Sequence, residues 1–279
     1  MKTRRQIFGQ HFLKDQSVIT KTLQAVEKEI AEKKPDVIVE VGPGRLALTA
    51  LLAPLAEKTK LPLHLVERDK KLDKYIAPIL KPGAVELHYM DAATDDFLNF
   101  LDSLIQKNLK NILFVSNLPY SASSQILANL CKRHKNISAA VIMIQKELAD
   151  RMTASPGGKE RGSFSLLMQS YFQSKTLFTV APGAFIPPPK VMSSVLSLYS
   201  LNPAPIEKIS NPEKFEKFCK KLFSGRRKMI RGLLPSSVGS HYESLGLTGQ
   251  ERPEAIDLDR MIELYKFACE GDSSWGNSL

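Results

Sequence analysis

The stretch Val37-Ile38-Val39-Glu40-Val41-Gly42-Pro43-Gly44-Arg45-Leu46-Ala47 decides the fold of this 279-residue chain. Four of its first five residues are β-branched and apolar. An apolar run of this kind suits a strand covered on both faces, as strands of parallel sheets are. Gly42 and Gly44 then permit a tight turn, and the sequence from Leu46 to Glu57 predicts a helix. Strand, glycine turn and helix together form the opening unit of a nucleotide-binding α/β fold.

Similar runs recur at Leu63 to Val66, Val85 to Tyr89, Ile112 to Val115 and Ala139 to Ile144. Helical patterns separate them, at Val18 to Glu32, Asp95 to Gln106 and Ser123 to Arg133, with a further one at Ser165 to Ser174. The alternation predicts an α/β, doubly wound, Rossmann-like architecture with a mostly parallel sheet. Phe178 to Val180 and Ser194 to Tyr199 add two strands, making seven, around a proline-rich loop from Ala181 to Val191. Leu201-Asn202-Pro203-Ala204-Pro205 reads as a linker, because neither a helix nor a central strand tolerates that proline spacing. Beyond it Phe215, Phe218, Cys219, Leu222 and Phe223 form one helical stripe, and Ile256 to Ala268 forms another. The expected division is an α/β domain over residues 1–205 and a small all-helical domain over residues 206–279.

A hydrophobic content of 43% with 24% charged residues excludes a disordered chain. No stretch approaches the roughly 18 apolar residues that span a bilayer. The apolar residues after Lys2, Arg4 and Arg5 are interrupted by Gln10, His11, Lys14 and Asp15, so no signal-peptide core is expected. Cys131, Cys219 and Cys269 lie far apart without metal-ligand spacing, which predicts buried thiols, a reducing cytoplasmic setting and no metal at the site. The net charge of +10 favours a polyanionic partner.

Glu40, Glu67 and Asp91 follow or close three successive predicted strands, where open α/β sheets bind ligands. Gly42, Gly44 and Ala47 satisfy a dinucleotide fingerprint, yet Pro43 lacks an N–H and Glu40 adds negative charge where a diphosphate would sit. A cofactor bearing an ammonium and a sulfonium suits that acid better. Glu67, 25 residues after Gly42, stands where an acid reaches ribose hydroxyls, and Asp91 is placed to accept from an adenine amine. After the fourth strand comes the turn Asn117-Leu118-Pro119-Tyr120. The amide oxygen and the Leu118 carbonyl could accept both hydrogens of an exocyclic NH2, with the Tyr120 ring over the heterocycle.

With these residues assembled, the chain resembles the ribosomal RNA adenine dimethyltransferase family, in the branch that dimethylates two adjacent adenosines near the 3′ end of small-subunit rRNA. The resemblance covers nearly the whole chain. It rests on Gln10-His11-Phe12-Leu13, Glu40 to Thr49, Glu67, Asp91, Asn117 to Tyr120, Gln145-Lys146-Glu147, Phe185-Ile186-Pro187-Pro188-Pro189-Lys190-Val191 with Ser194, and Arg226-Arg227-Lys228. It implies a Rossmann-like class I methyltransferase fold and S-adenosylmethionine as methyl donor, bound by Leu13, Gly42, Glu67, Asp91 and Asn117. His11 stands where the family usually has asparagine, and is carried over as a cofactor contact together with Glu40 and Gly44.

The expected chemistry uses geometry rather than a base. An adenine amine is too weakly acidic to be deprotonated by a side chain at neutral pH, so acceptors at Asn117 and Leu118 would draw its nitrogen toward a tetrahedral shape. Pro119 fixes the turn, and Tyr120 and Phe185 would sandwich the unstacked base. Residues 214 to 231 carry eight Lys or Arg against Glu216 alone. Within that stretch Arg226, Arg227, Lys228 and Arg231 follow Gly225 and are the expected phosphate contacts. The expected partner is small-subunit rRNA in a pre-assembled small subunit, approached by a monomer without a membrane. Rival readings are the large-subunit adenine methyltransferases of macrolide resistance, a non-catalytic RNA-binding or transcription factor on the same fold, and a nicotinamide-dependent dehydrogenase.

Overall fold

The computed structural model describes residues 11–225 and 227–270. The expected contacts at Lys2, Arg4, Arg5, Gln10 and Arg226 therefore lie outside the described residues. The chain divides into two compact units: one runs up to Ala149 and resumes over Gln173–Ser200, and the other joins Asp150–Phe172 to the chain from Leu201 onward.

The first unit is built on nine strands. β1 (Phe12–Leu13) and β8 (Phe185–Ile186) make a two-stranded antiparallel ribbon. The remaining seven form one sheet: β2 (Val37–Val41), β3 (Leu63–Glu67), β4 (Val85–Tyr89), β5 (Ile112–Asn117), β6 (Ile137–Gln145), β7 (Phe172–Val180) and β9 (Ser193–Ser200). Their order is β4-β3-β2-β5-β6-β9-β7. The pairs from β4 through β6 are parallel and β9 runs antiparallel to β6. This is the mostly parallel seven-stranded sheet that the apolar runs predict.

Every residue of β2 and β3 is buried, including Glu40 and Glu67. Burial of each apolar side chain contributes about 1.5–3 kcal/mol, so these strands hold their register firmly, and any acid among them is held with them. Helices Gln16–Lys33, Thr49–Thr59, Asp95–Gln106 and Ser123–Lys132 alternate with the strands. The helix expected from Leu46 begins at Thr49, because Leu46 has φ +66° and a left-handed residue cannot enter a right-handed helix.

Other expectations change as well. The helix expected over Ser165 to Ser174 spans Ser163–Gln169, and Phe172 opens β7. β7 is an edge strand, so its polar stretch Gln173-Ser174-Lys175-Thr176 needs no continuous apolar pattern. The expected boundary between residues 205 and 206 differs from the observed division as well, since residues 150–172 and 201–205 belong to the second unit.

Arg161 explains the residue 150–172 excursion. It is 1% exposed, and its guanidinium donates to the carbonyls of Ala154 and Ile256 and to Gln169 Oε1 at 2.9–3.1 Å. The Gly157 amide likewise donates to the Glu254 carbonyl at 2.7 Å. A buried cation with three acceptors ties its segment to theirs, since losing one partner would strand charge in a low-dielectric interior. The second unit's core gathers Leu166 with Phe215, Phe218, Leu222, Met261, Leu264 and Tyr265 around helices Pro212–Ser224 and Leu258–Tyr265. The helix expected as far as Ala268 changes to a π turn at Lys266–Glu270.

Candidate active site

The site is assembled where β2, β3, β4 and β5 end. Past β2, the Gly42 amide donates to the Val66 carbonyl at 2.9 Å, and Gly42 and Gly44 have φ of +74° and +58°. Those angles suit glycine alone among common residues at little cost. A Cβ on Gly44 would also lie 3.3 Å from the Phe12 ring. The Gly44 amide, the first N–H after Pro43, points at Glu67 Oε2, 3.3 Å away. A diphosphate in this turn would meet a carboxylate where it needs a donor, which argues against the dinucleotide reading.

Glu67 is 7% exposed and accepts three backbone amides: Arg68 and Asp69 on Oε1 at 2.8 Å, and Gly44 on Oε2. Burial raises its pKa and these amides partly lower it again. Glu40 is 2% exposed, and its Oε2 has no hydrogen-bond partner among the described residues. Burial pushes its carboxyl up to about 8, the Thr49 hydroxyl works against that rise, and the neighbouring Glu67 charge adds to it. An orphaned carboxylate oxygen at the wall of a cavity is costly unless a donor or cation comes to it.

Asp91 follows β4. Its Oδ1 accepts the Ala93 amide at 3.0 Å, and its Oδ2 pairs with the Arg68 guanidinium at 2.8 Å. The loop carrying it is held from behind by buried Asn129, whose Nδ2 donates to the Ala92 carbonyl at 3.0 Å and the Thr94 carbonyl at 3.4 Å.

Asn117 is the last residue of β5, and the Leu118 amide donates to the Met143 carbonyl at 3.0 Å, carrying the β5–β6 ladder one residue past the strand. Asn117 Nδ2 donates to the His11 carbonyl at 3.4 Å, which leaves Oδ1 as the acceptor. Tyr120 shares a hydrogen bond with Ser193, and its ring lies 5.4 Å from that of His11. His11 Nδ1 meets the Pro187 carbonyl at 2.8 Å, while the amides of Lys14 and Asp15 donate to the Ala184 carbonyl. His11, Leu13, Glu40, Gly42, Gly44, Glu67, Asp91, Asn117, Leu118, Pro119 and Tyr120 all line one cavity.

A three-acid wall, a glycine turn and an amide acceptor share one cavity. The family described as Ribosomal RNA adenine dimethylase matches residues 1–266. The chain belongs to this family. A ribosomal RNA small subunit methyltransferase A from Nitrosococcus oceani is 35% identical over 266 residues, covering 94% of this chain and 95% of the relative. A dimethyladenosine transferase from Plasmodium falciparum superposes with a TM-score of 0.69 at 20% identity, covering 91% of this chain and 96% of that one. The 23S rRNA methyltransferase ErmE gives 0.62 at 21% identity, covering 92% and 99%. These two likenesses support the Rossmann-like methyltransferase fold.

As an rRNA adenine dimethylase the protein is an S-adenosylmethionine-dependent methyltransferase. The residues fit that cofactor: the orphaned Glu40 oxygen is a buried acceptor for an ammonium, whose charge would favour the ionised carboxylate, and Glu67 Oε2 keeps acceptor capacity for a hydroxyl.

Phe185, expected as the second stacking wall, is placed elsewhere in this structure. It is 1% exposed, pairs with Leu13 across the β1–β8 ribbon, belongs to the apolar core and does not line the cavity. Arg227, Lys228 and Arg231 are exposed on the second unit, in the turn and 3-10 helix that follow the helix ending at Ser224. Sequence reasoning missed Arg68, Asn129 and Ser193. Arg68 directly follows Glu67, but nothing local says that it reaches Asp91. The Phe12 ring supports Gly44 and lies under the Arg45 guanidinium at 4.5 Å.

Proposed function

We propose that this chain transfers methyl groups from S-adenosylmethionine to the exocyclic N6 of two adjacent adenosines near the 3′ end of small-subunit rRNA, giving N6,N6-dimethyladenosine during ribosome biogenesis. One observation carries the reading: a buried acid with an unpartnered oxygen and a neutral amide acceptor face the same cavity. Bound S-adenosylmethionine supplies an activated methyl group on a sulfonium. Glu40 binds its ammonium, Glu67 its ribose and Asp91 its adenine, with His11, Leu13, Gly42, Gly44 and Asn117 completing the contacts.

Asn117 Oδ1 and the Leu118 carbonyl accept the two N–H bonds of the target amine and orient its lone pair. Pro119 and the Tyr120–Ser193 hydrogen bond hold the aromatic ring that covers the base. No side chain need remove a proton before transfer, because the N–H acidity rises only after the nitrogen becomes cationic.

Phosphates are met by Arg226, Arg227, Lys228 and Arg231. The name of the Nitrosococcus relative supports the small subunit as substrate. No helix among the described residues is long and apolar enough to cross a membrane. In this reading the enzyme acts in the cytoplasm, as a monomer, on a pre-assembled small subunit. The test is transfer of labelled methyl to small ribosomal subunits from cells lacking this activity. Labelling of adjacent adenosines as N6,N6-dimethyladenosine is expected; labelling of the large subunit alone would favour the macrolide-resistance reading and overturn this one.

A further inference from the structure

Away from the methyl-transfer cavity, β3 and β4 bring His64, Glu86 and His88 together. His64 and Glu86 are direct cross-strand neighbours, and His88 follows two residues along β4, on the same face as Glu86. Their ligand atoms lie within 4.8 Å of one another. His64 Nδ1 faces His88 Nε2 at 2.9 Å, and Glu86 Oε2 stands 3.6 Å from the first and 3.9 Å from the second.

We propose that His64, Glu86 and His88 form a site for a divalent first-row transition metal, zinc in the first instance, that clamps β3 to the edge strand β4. Tetrahedral zinc with bonds near 2.0–2.1 Å sets its donor atoms about 3.3 Å apart, a value that the three observed separations bracket. A hydrogen bond between the two rings satisfies the imidazoles but leaves the carboxylate too far from either nitrogen to share it. A cation among the three donors satisfies all of them at once.

The surroundings are those of a supported site. The Phe100 ring, from helix Asp95–Gln106, packs 4.5 Å from the His88 ring and 5.8 Å from the His64 ring, limiting their rotation. Glu86 is 42% exposed, which opens the cluster to a fourth, water ligand. The Glu86 carboxylate favours a cation among these rings, and Lys107 opposes it. β3 ends in Glu67, and Asp91 lies two residues past β4. The clamp therefore joins the two strands that carry cofactor acids.

The test is titration of the reduced full-length chain with cobalt(II), followed by visible absorption and equilibrium dialysis. One equivalent should bind with d–d bands and no thiolate charge-transfer band, the cysteines being buried. Glu86→Gln and His88→Gln, both on the more exposed side of the cluster, should each weaken binding at least about tenfold. Zinc at about 100 times its Kd should raise the wild-type Tm by about 5 °C and leave the variants unmoved. Unchanged S-adenosylmethionine binding shows that the variants are folded. Absence of one-to-one cobalt binding to wild type, or equal binding by the folded variants, overturns the site.

Discussion

At the strand ends of the first unit, Glu40 and Glu67 are 2% and 7% exposed, whereas Arg227, Lys228 and Arg231 of the second unit are exposed. Buried acids have their charge state set by the protein, so they discriminate between ligands by charge and shape. Exposed guanidinium and ammonium groups act through a solvent that screens them within about 8 Å at 0.15 M salt. The first arrangement suits a small cationic cofactor. The second suits a long anion recognised by its backbone, whose affinity falls steeply with salt. The contrast therefore has a signature: pH should govern one region and ionic strength the other.

The largest effect should come from a residue that obeys neither rule. Asn117 lies among the acids but is uncharged, and its Nδ2 is engaged by the His11 carbonyl. Asn117→Ala should lower single-turnover methyl transfer at saturating cofactor by on the order of 10²–10³, the usual cost of losing one preorganised polar group at a reacting centre. The loss should be the same at low and high salt and at every pH tested. A fall below tenfold would mean that the Leu118 carbonyl alone orients the amine.

Next in size is the pH response of Glu40. Its folded pKa is raised from 4.5 to about 8, so its contribution to stability is full below the unfolded value and is lost as pH rises toward 8. A cationic ligand inverts this, because it binds the ionised form better. Affinity for S-adenosylmethionine should climb by up to about tenfold per pH unit between roughly pH 6 and 8. Calorimetry on Glu40→Gln should show a flatter profile and, at pH 8, about tenfold weaker binding. Glu67, also raised by burial, remains in both proteins, so the difference isolates Glu40. Parallel profiles would place the ammonium elsewhere.

What the sequence revealed follows the same physical division. The strand cores were legible because burial on both faces imposes an apolar run at Val37 to Val41 and Ile112 to Val115, and a helix ended where Gln106 was expected to end it. The cavity wall was legible because its acids sit at strand ends, a position that topology fixes. Only Phe178 to Val180 of edge strand β7 carries a strand pattern, since a solvent-facing strand leaves a weak one. Arg161 and Arg68 were invisible for a different reason: their roles depend on Ile256 and Asp91, far along the chain in each unit, and no local periodicity records such a pairing. Phe185 shows the limit of motif transfer, for the motif marks where the ring is in the chain but not whether it faces the core or the cavity.

A smaller effect is expected from the second unit. Reversing Arg226, Arg227 and Lys228 to glutamate should weaken RNA binding about tenfold at low salt, with a shallower dependence of affinity on salt and unchanged S-adenosylmethionine binding. An unchanged salt slope would remove these residues from the phosphate contacts and weaken the contrast drawn between the regions.

The smallest effect sharpens that contrast most, because Arg68 lies on its border. Its side chain is 55% exposed, yet it pairs at 2.8 Å with Asp91, whose carboxylate is 27% exposed and lines the cofactor cavity. If burial of one partner sufficed, the pair would behave like the acids beside it, and its loss would cost far more than a surface ion pair. Solvent reaches the guanidinium, however, and exposed pairs contribute only about 0.2–1 kcal/mol. The Ala93 amide and the loop held by Asn129 fix Asp91 without it. Arg68→Ala should therefore change S-adenosylmethionine affinity by no more than about fivefold, with the change shrinking as salt rises. A loss above tenfold that persists in high salt would show that one buried partner is enough to carry the pair out of the solvent-screened regime.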